Sequence, residues 1–437
     1  MTFHLQASSQ IFSGWPVRDL LEKIRFQPLS LENRITMGLF CGFSDDVRES
    51  RAQSHLTHST EVQHQIRFPM RARVLRSVRK LATVVAPHVS KKVAVQLATD
   101  DELSIEFFLA LEASGVRVTY LPYCGANSDF ATLREADTLQ LLKSPVDVRG
   151  LLAAAEERTY SGDYRSAYQM LMRIPDRLRN SDVHHQLGMC TNYFDRTEES
   201  ESHYLRCMES EDIVTRASAC YMISMLYLRW HSKEKHSLDQ AEKFLNQAFS
   251  ELGEIADFET REFQRVFNRN GYALCLYRRG RVEEALDMLK AGVAVLDTSI
   301  ARSDAEGRPS HRYLHRSVLL YNAVQCLASM KRFNECEEMC AELISSDPLF
   351  PEYHLEAGRI HLMQADGDRE RLEKALRCFE DALQLDAAIP ELHALMGFTF
   401  IERGEFHEAK SAYEEALRLD PLNAQFQDAV LYCAEAV

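Results

Sequence analysis

A pattern of glycine, alanine and aromatic residues recurs at fixed offsets through the last two thirds of this 437-residue sequence. The clearest copy runs from Pro390 to Pro421. Its pattern residues are Gly397, Phe400, Gly404, Ala409, Tyr413 and Ala416. Glycine and alanine let two helices approach closely, glycine also permits a tight turn, and an aromatic ring fills the space beside them. The pattern therefore predicts a pair of packed helices.

Earlier stretches of the chain repeat this pattern in the same register. The preceding copy opens at Pro351 and has about five extra residues in its turn. Its pattern residues are Gly358, Ala375, Phe379 and Ala382. Weaker copies fit 317–350, 266–300, a longer stretch from about 213, 181–212 and 148–180. We expect about seven helix pairs in series, because one pair cannot bury its apolar face alone.

This pattern resembles the tetratricopeptide repeat family, whose unit of about 34 residues places small and aromatic residues at the offsets of Gly397, Tyr413 and Ala416. The resemblance covers roughly two thirds of the chain. It implies a mainly α-helical fold, a superhelix of stacked pairs with a concave groove lined by the first helix of each pair. An irregular helical bundle is the alternative, since amphipathic helices alone would also show apolar periodicity.

The register of the family also implies which residues line that groove. They are Phe267, Asn270, Tyr277, Arg278, Tyr321, Asn322, Gln325, Glu356 and Arg359. Asparagine and arginine hydrogen-bond a peptide backbone or a carboxylate, and aromatic rings supply contact area. The resemblance therefore implies a protein or peptide partner in the groove. An ordinary polar surface is the alternative for any single residue.

Some members of the family hold the terminal carboxylate of chaperones with Lys and Asn, then Asn, then Lys and Arg on three successive first helices. Asn322 matches one of these places. However, Glu352 and Glu356 stand where the basic pair should follow, which disfavours that ligand. In the last copy the same face is apolar and could hold a hydrophobic segment or be covered by a final helix. Its residues are Ala394, Leu395, Phe398 and Ile401.

The first 147 residues have a different pattern. The apolar run from Lys92 to Ala98 predicts a buried strand, and a second strand is predicted from Val116 to Leu121. Between them, Leu103 to Ser114 reads as an amphipathic helix that Gly115 ends. A strand, a helix and a strand in this order predict a βαβ unit.

A further strand-like run extends from Ile35 to Phe43, so we expect a small α/β domain before the repeats. The predicted organisation is a small α/β domain at 1–147, a repeat solenoid at 148–423 and a capping helix at 424–437.

Open α/β sheets bind ligands beyond the carboxyl ends of their strands. Five residues are predicted at such a rim. They are Asp45, Asp46, Asp100, Asp101 and Tyr123. The sequence has no GxGxxG, no phosphate-binding loop and no nucleophile elbow, so it predicts neither a catalytic residue nor a cofactor. Helix capping is the competing interpretation of the aspartates.

A basic amphipathic helix is predicted at 70–85. Its cationic residues are Arg71, Arg73, Arg76, Arg79 and Lys80. Such a helix can dock on acidic protein, nucleic acid or membrane. The competing interpretation is a face that is solvated or paired with acidic residues of the same chain.

Neither the histidines nor the cysteines predict a metal site. His55, His58 and His64 have a spacing that occurs at metal sites, but their polar context favours surface positions. The eleven cysteines are scattered without a CxxC pair and indicate reduced thiols. Cys336 and Cys340, one helical turn apart, are predicted to pack in the core.

Charge and hydropathy restrict partner and location. Residues 1–147 have 17 Lys+Arg and 16 Asp+Glu, which leaves 34 and 49 for the rest and gives the repeats a net charge of −15. This disfavours nucleic acid as a partner of the repeats. No apolar run approaches the roughly 20 residues of a membrane span and the amino terminus lacks the order of a secretory signal, so we expect the cytoplasm.

Three functions fit these observations. The favoured one is a cytoplasmic scaffold or adaptor that holds a partner polypeptide in the repeat groove. The second is an enzyme, or a degenerate one, whose α/β domain binds a nucleotide or sugar while the repeats recruit its substrate. The third is a transcription regulator. Missing nucleophile and phosphate-loop motifs disfavour the second, and a missing helix-turn-helix motif disfavours the third.

Overall fold

The computed structural model describes residues 2–5, 15–24, 31–41, 56, 71–90, 92–97, 101–121, 147–306, 312–421 and 423–436. These residues belong to two compact units. Unit 1 comprises 1–51 and 61–275, and unit 2 comprises 52–60 and 276–437.

In the amino-terminal part of unit 1, the described residues form a small sheet and four helices. Its elements are β1 Thr2–Leu5, α1 Trp15–Lys23, α2 Leu31–Cys41, α3 Arg71–Val85, β2 Lys92–Gln96, α4 Glu102–Ala113 and β3 Val118–Leu121. The three strands are parallel in the order β1-β2-β3, with Phe3 opposite Val93 and Val93 opposite Val118. Helix α4 connects β2 to β3, so the predicted βαβ unit and the small α/β region are confirmed.

The strand predicted at Ile35 to Phe43 is wrong, because Ile35 to Cys41 lie in helix α2 and the last two residues of the prediction lie outside the described residues. Asn33, Thr36 and Leu39 are buried at steps of three residues, and Phe40 follows Thr36 by four. That spacing is the helical period. A short apolar run does not distinguish a strand from a buried helix, which explains the error.

The core of this part lies between the sheet and helices α1, α3 and α4. Helix α3 is the predicted basic helix, and its apolar stripe is buried as expected. The stripe consists of Val74, Leu75, Val78, Leu81 and Val85. In α4, the ring of Phe107 contacts Phe40 edge to face, with ring centroids 6.1 Å apart. These contacts hold the two ends of the region together around one apolar cluster.

The remaining helices follow one another in the predicted pairs. Residues of unit 1 form α5 Val148–Ser161, α6 Tyr164–Met172, α7 Ser181–Tyr193, α8 Thr197–Cys207, α9 Ile213–Met225 and α10 Leu238–Leu252, and most of α11 Phe258–Arg278. A π-helical turn, Leu226–Trp230, extends α9.

Unit 2 continues the series. Its helices are α12 Val282–Ala305, α13 Arg312–Ser329, α14 Phe333–Ser346, α15 Pro351–Met363, α16 Arg369–Leu385, α17 Pro390–Glu402, α18 Phe406–Leu419 and α19 Ala424–Ala436. Six of the predicted pairs pack within one unit, namely α5 with α6, α7 with α8, α9 with α10, α13 with α14, α15 with α16 and α17 with α18, and the predicted mainly α fold is confirmed. Helix α19 packs against α18 and buries Cys433 beside Ala409 and Tyr413.

The turns inside the pairs share one backbone feature. A residue with positive φ stands at the same repeat position in five of the turns. These residues are Gly162, Asp195, Gly280, Lys331 and Gly404, with φ of 95°, 60°, 76°, 58° and 77°. Such a residue reverses the chain within a few residues, which brings the second helix back along the first.

Candidate functional site

The predicted groove residues of unit 2 meet at the facing sides of α13 and α15. Glu356 of α15 is only 2% exposed, and its Oε2 accepts a hydrogen bond from Nη1 of Arg359 at 3.2 Å. The side chain of Gln325 on α13 hydrogen-bonds to the same carboxylate. The structure therefore brings Gln325, Glu356 and Arg359 together, and it leaves the Arg359 side chain 44% exposed.

The carboxylate of Glu356 dominates the electrostatics of this cluster. Burial raises the pKa of Glu356, although the charge of Arg359 and the hydrogen bond from Gln325 act in the opposite direction. The pKa of Tyr321 is also raised, first by burial and then by the charges of Glu356 and Glu352. The charge of Arg359 acts in the opposite direction on Tyr321.

Aromatic rings form the neighbouring part of the cluster. The centroids of Tyr321 and Tyr353 are 5.9 Å apart, and those of Phe350 and Tyr353 are 4.8 Å apart. Tyr353 is 1% exposed and anchors the other two rings. Sequence reasoning missed Tyr353, although its place one turn before Glu356 on the same helix could have indicated it.

Three further predicted residues lie nearby in unit 2. The hydroxyl oxygens of Tyr277 and Ser329 are 2.7 Å apart, so these residues tie the end of α11 to the end of α13. Arg278 is exposed and Asn322 is half-buried. Arg278 and Asn322 therefore expose polar surface on the first helices α11 and α13.

Exposed apolar residues accompany this polar cluster. Met363 of α15 is 52% exposed and Phe398 of α17 is 45% exposed. Met363 holds the repeat position of Arg278, and Phe398 holds that of Arg359. Met363 was not predicted from the sequence, although the repeat register indicates it.

The two predicted groove residues in unit 1, Phe267 and Asn270, both contact Tyr221 of α9. The Phe267 ring contacts the Tyr221 ring, with centroids 6.0 Å apart, and Nδ2 of Asn270 donates to the Tyr221 hydroxyl at 3.1 Å. Asn270 is 7% exposed. It therefore joins two first helices, whereas Phe267 keeps part of its surface open.

Of the predicted rim of the amino-terminal sheet, the structure describes Asp101. Its Oδ1 accepts a hydrogen bond from the Ser104 backbone N–H at 3.3 Å, which caps the start of α4. The capping interpretation therefore holds for this residue. Four rim predictions lie outside the described residues. They are Asp45, Asp46, Asp100 and Tyr123. The histidines at 55, 58 and 64 also lie outside the described residues.

The basic face of α3 pairs with acidic residues of the same unit. Arg71 Nε donates to Glu102 Oε1 at 2.9 Å, and its Nη1 donates to Asp195 Oδ2 at 2.9 Å. Arg79 Nε donates to Glu106 Oε2 at 2.6 Å. These contacts support the interpretation that this face is satisfied within the chain.

A cavity of about 370 Å³ lies beside Arg71, between α4 and the first two repeat pairs. Its lining residues are Arg71, Glu102, Leu103, Ile105, Glu106, Gly162, Asp163, Tyr164, Arg165, Tyr193 and Phe194. Tyr164 and Tyr193 stack with centroids 3.9 Å apart. The described residues of the lining include no serine, cysteine or histidine, so none of them is a nucleophile with a neighbouring imidazole base.

Two histidines meet between α7 and α8. The Nδ1 atoms of His184 and His203 are 3.1 Å apart. Burial and the positive charge of Arg179 lower the pKa of both, and the neighbouring His184 helps to bring that of His203 to about 4. Sequence reasoning missed this pair.

Thiols and metal-binding groups give no reactive centre among the described residues. No cluster of three or more His, Cys, Asp or Glu side chains suits a metal ion in that part of the chain. The ten described cysteines are free thiols. Burial raises the pKa of Cys336 to about 11 and raises that of Cys340 as well, so both thiols stay protonated in the core.

Comparison with known proteins supports the repeat assignment. The family model of the tetratricopeptide repeat matches residues 390–423. The resemblance predicted from the sequence is therefore confirmed, and this part of the chain is a tetratricopeptide repeat. No curated protein matches the sequence.

Several solved structures of repeat proteins resemble the chain weakly. A tetratricopeptide repeat protein from Parabacteroides merdae is 14% identical, with a TM-score of 0.41 over 65% of this chain and 98% of that chain. PilF from Pseudomonas aeruginosa is 17% identical, with a TM-score of 0.40 over 58% and 97%. YrrB, a repeat protein with an unusual peptide-binding site, is 13% identical, with a TM-score of 0.33 over 53% and 97%. Similarities of this size carry no argument about function.

Among the described helices, none combines the length and the apolar character that crossing a membrane requires.

Proposed function

We propose that this chain is a cytoplasmic scaffold or adaptor that binds a segment of a partner polypeptide along the first helices of its repeats. The observation that carries the proposal is the cluster of Tyr321, Gln325, Glu356 and Arg359. It places a buried carboxylate, a half-exposed guanidinium and an aromatic ring at one place on two successive first helices. This mixture suits recognition of a peptide backbone.

Arg359 is the residue that we expect to contact the partner most directly. Its contact with the buried Glu356 restrains the guanidinium, so less side-chain freedom is lost on binding. The remaining N–H groups of Arg359 can donate to backbone carbonyl oxygens. Half-exposed arginine and tyrosine anchors of this kind supply much of the free energy of binding at interfaces.

Predicted residues outside this cluster have secondary parts in the proposal. Tyr277, Arg278 and Asn322 extend the surface on unit 2, and Phe267 adds an aromatic surface on unit 1. Asn270 positions Tyr221. We propose that the chain is organised as an α/β domain at 1–147, a solenoid at 148–423 and a cap at 424–437. In this proposal the α/β domain adds a second contact with the partner.

The free thiols of the described part support the cytoplasmic location, because disulfides are rare in that compartment.

A displayed random-peptide library selected on the full chain tests this proposal. We expect the enriched peptides to lose at least about tenfold in affinity for a Tyr321→Ala, Arg359→Ala double variant. Arg377→Ala is the matched control, because Arg377 is exposed on the second helix α16. Circular dichroism verifies the folding of each variant. Enriched peptides that bind the double variant as tightly as the original chain would refute the proposal.

A further inference from the structure

The first helices of unit 2 have an excess of carboxylates at the repeat positions proposed for binding. Glu352 and Glu391 hold the position of Phe267, and Glu402 holds that of Arg278. Glu391 and Glu402 are exposed, and Glu352 is half-buried. With Glu356, these positions have four carboxylates against the two guanidinium groups of Arg278 and Arg359.

The charge of Arg359 is largely neutralised where it lies. Its guanidinium is 3.2 Å from the carboxylate of Glu356, which is 2% exposed to solvent. A paired guanidinium still donates hydrogen bonds to carbonyl oxygens, but it attracts a partner carboxylate weakly. The surface at these positions is therefore acidic in effect.

The whole of unit 2 reinforces this potential. Residues 276–437 have 18 Lys+Arg and 29 Asp+Glu, and 52–60 have no charged residue, so the net charge of unit 2 is −11. A summed charge of this size attracts cationic segments over several ångströms and repels anionic ones. It disfavours a terminal carboxylate as the ligand.

Apolar area on the same helices adds a second requirement. Met363 and Phe398 are about half exposed, and Leu355 and Leu395 are partly buried beside the core of the last pairs. Exposed apolar side chains among charged ones are typical of interaction surfaces. The partner segment must therefore present apolar residues between its charges.

We propose that this surface binds a basic, amphipathic segment of the partner polypeptide. Its Lys or Arg side chains pair with Glu352, Glu391 and Glu402, and its apolar side chains contact Met363 and Phe398. Arg359 donates to a backbone carbonyl of the segment. This inference rests on the proposed function and adds the chemistry of the partner to it.

Two synthetic peptides with identical leucine positions test the inference by fluorescence anisotropy with the full chain. One peptide has lysine at its polar positions and the other has glutamate. We expect the lysine peptide to bind and the glutamate peptide to bind at least about tenfold more weakly. Tighter or equal binding of the glutamate peptide overturns the inference, and so does the failure of both peptides to bind.

Charge-reversal variants distinguish binding at this surface from attraction by the net charge of unit 2. We expect Glu391→Lys with Glu402→Lys to weaken the lysine peptide about tenfold. Glu338→Lys with Glu373→Lys makes the same change in net charge at exposed places on second helices and should alter binding about twofold or less. Equal losses in both double variants would assign binding to overall charge and overturn the inference.

The two proposals fail in different ways. Library peptides that need Tyr321 and Arg359 but are neutral or acidic leave the proposed function standing and overturn the basic partner. A lysine peptide that binds the Tyr321→Ala, Arg359→Ala variant unchanged overturns both.

Discussion

The ring of Tyr413 fills the space that a Cβ atom on Gly397 would need. Such an atom would lie 2.7 Å from two carbons of the ring. The same relationship joins Gly188 to Tyr204 at 2.8 Å, where the tyrosine is fully buried. In both pairs the glycine sets how closely the first helix approaches the second.

We expect Gly397→Ala to lower the free energy of unfolding by about 1 to 3 kcal/mol, because the added methyl group displaces a packed ring. Chemical denaturation measures this change. Alanine favours a helix over glycine, so a gain in stability would show that the ring moves aside without strain. In a Tyr413→Leu background we expect the loss to shrink, whereas equal losses in both backgrounds would contradict the contact.

This contact also explains why the repeats were predictable from the sequence and helix α2 was not. Gly397 and Tyr413 are 16 residues apart within one repeat, so a local pattern contains both sides of the contact. The burial of Leu39 and Phe40 depends on α3 and α4, which lie far along the chain. Short apolar runs take their conformation from such distant partners, and the sequence pattern alone does not reveal them.

We expect Lys331→Gly to stabilise the chain by about 0.5 to 1 kcal/mol. Lys331 has φ of 58° at the repeat position where Gly280 and Gly404 have φ of 76° and 77°. A residue with a Cβ is strained in this conformation and glycine is not, although glycine loses more backbone entropy on folding. Thermal and chemical unfolding give the measurement.

Gly404→Ala is the reciprocal control for that change. Its Cβ would meet no atom within 4 Å, so any loss reports backbone conformation alone. We expect about 1 kcal/mol of destabilisation. A neutral Gly404→Ala together with a destabilising Lys331→Gly would contradict the argument from φ.

The proposed binding residues were predictable to the extent that the repeat register determines them. Tyr321, Gln325 and Arg359 occupy equivalent faces of first helices, and the structure places them around Glu356. Asn270 also follows the register, but its amide donates to Tyr221. The register gives the face of a helix and does not give the partner that a polar side chain finds there.

We expect stability to fall as the pH drops from about 6.5 towards 4, because of His184 and His203. Their pKa values are lowered in the fold, so the unfolded chain binds more protons in this range. The charged neighbours are Arg179, Asp176, Arg206, Glu209 and Glu199, with the cation Arg179 acting on both imidazoles. We expect a loss of roughly 1 to 2 kcal/mol between pH 7 and pH 5.

Denaturation at both pH values, with His203→Gln, tests this assignment. The variant should show a smaller loss between pH 7 and pH 5. His236→Gln changes an exposed histidine and serves as the control. An unchanged pH dependence in His203→Gln would place the responsible groups elsewhere.

Glu356→Gln should stabilise the chain at pH 8. The pKa of Glu356 is raised in the fold, so the folded state favours the protonated carboxyl, and its contribution is most favourable below the ordinary value of 4.5. As the pH rises through the raised pKa, the buried side chain ionises and stability falls. Glutamine keeps the shape and can bond Gln325 without a charge, and we expect a gain of about 1 kcal/mol at pH 8.

Near pH 4 the gain should vanish, because the carboxyl is then protonated in the original chain. Glu373→Gln on the exposed face of α16 is the matched control and should be neutral at both pH values. If Glu356→Gln instead destabilises the chain at pH 8, the ion pair with Arg359 outweighs the burial of the carboxylate. Such a result would mean that the pair is a stabilising element of the fold.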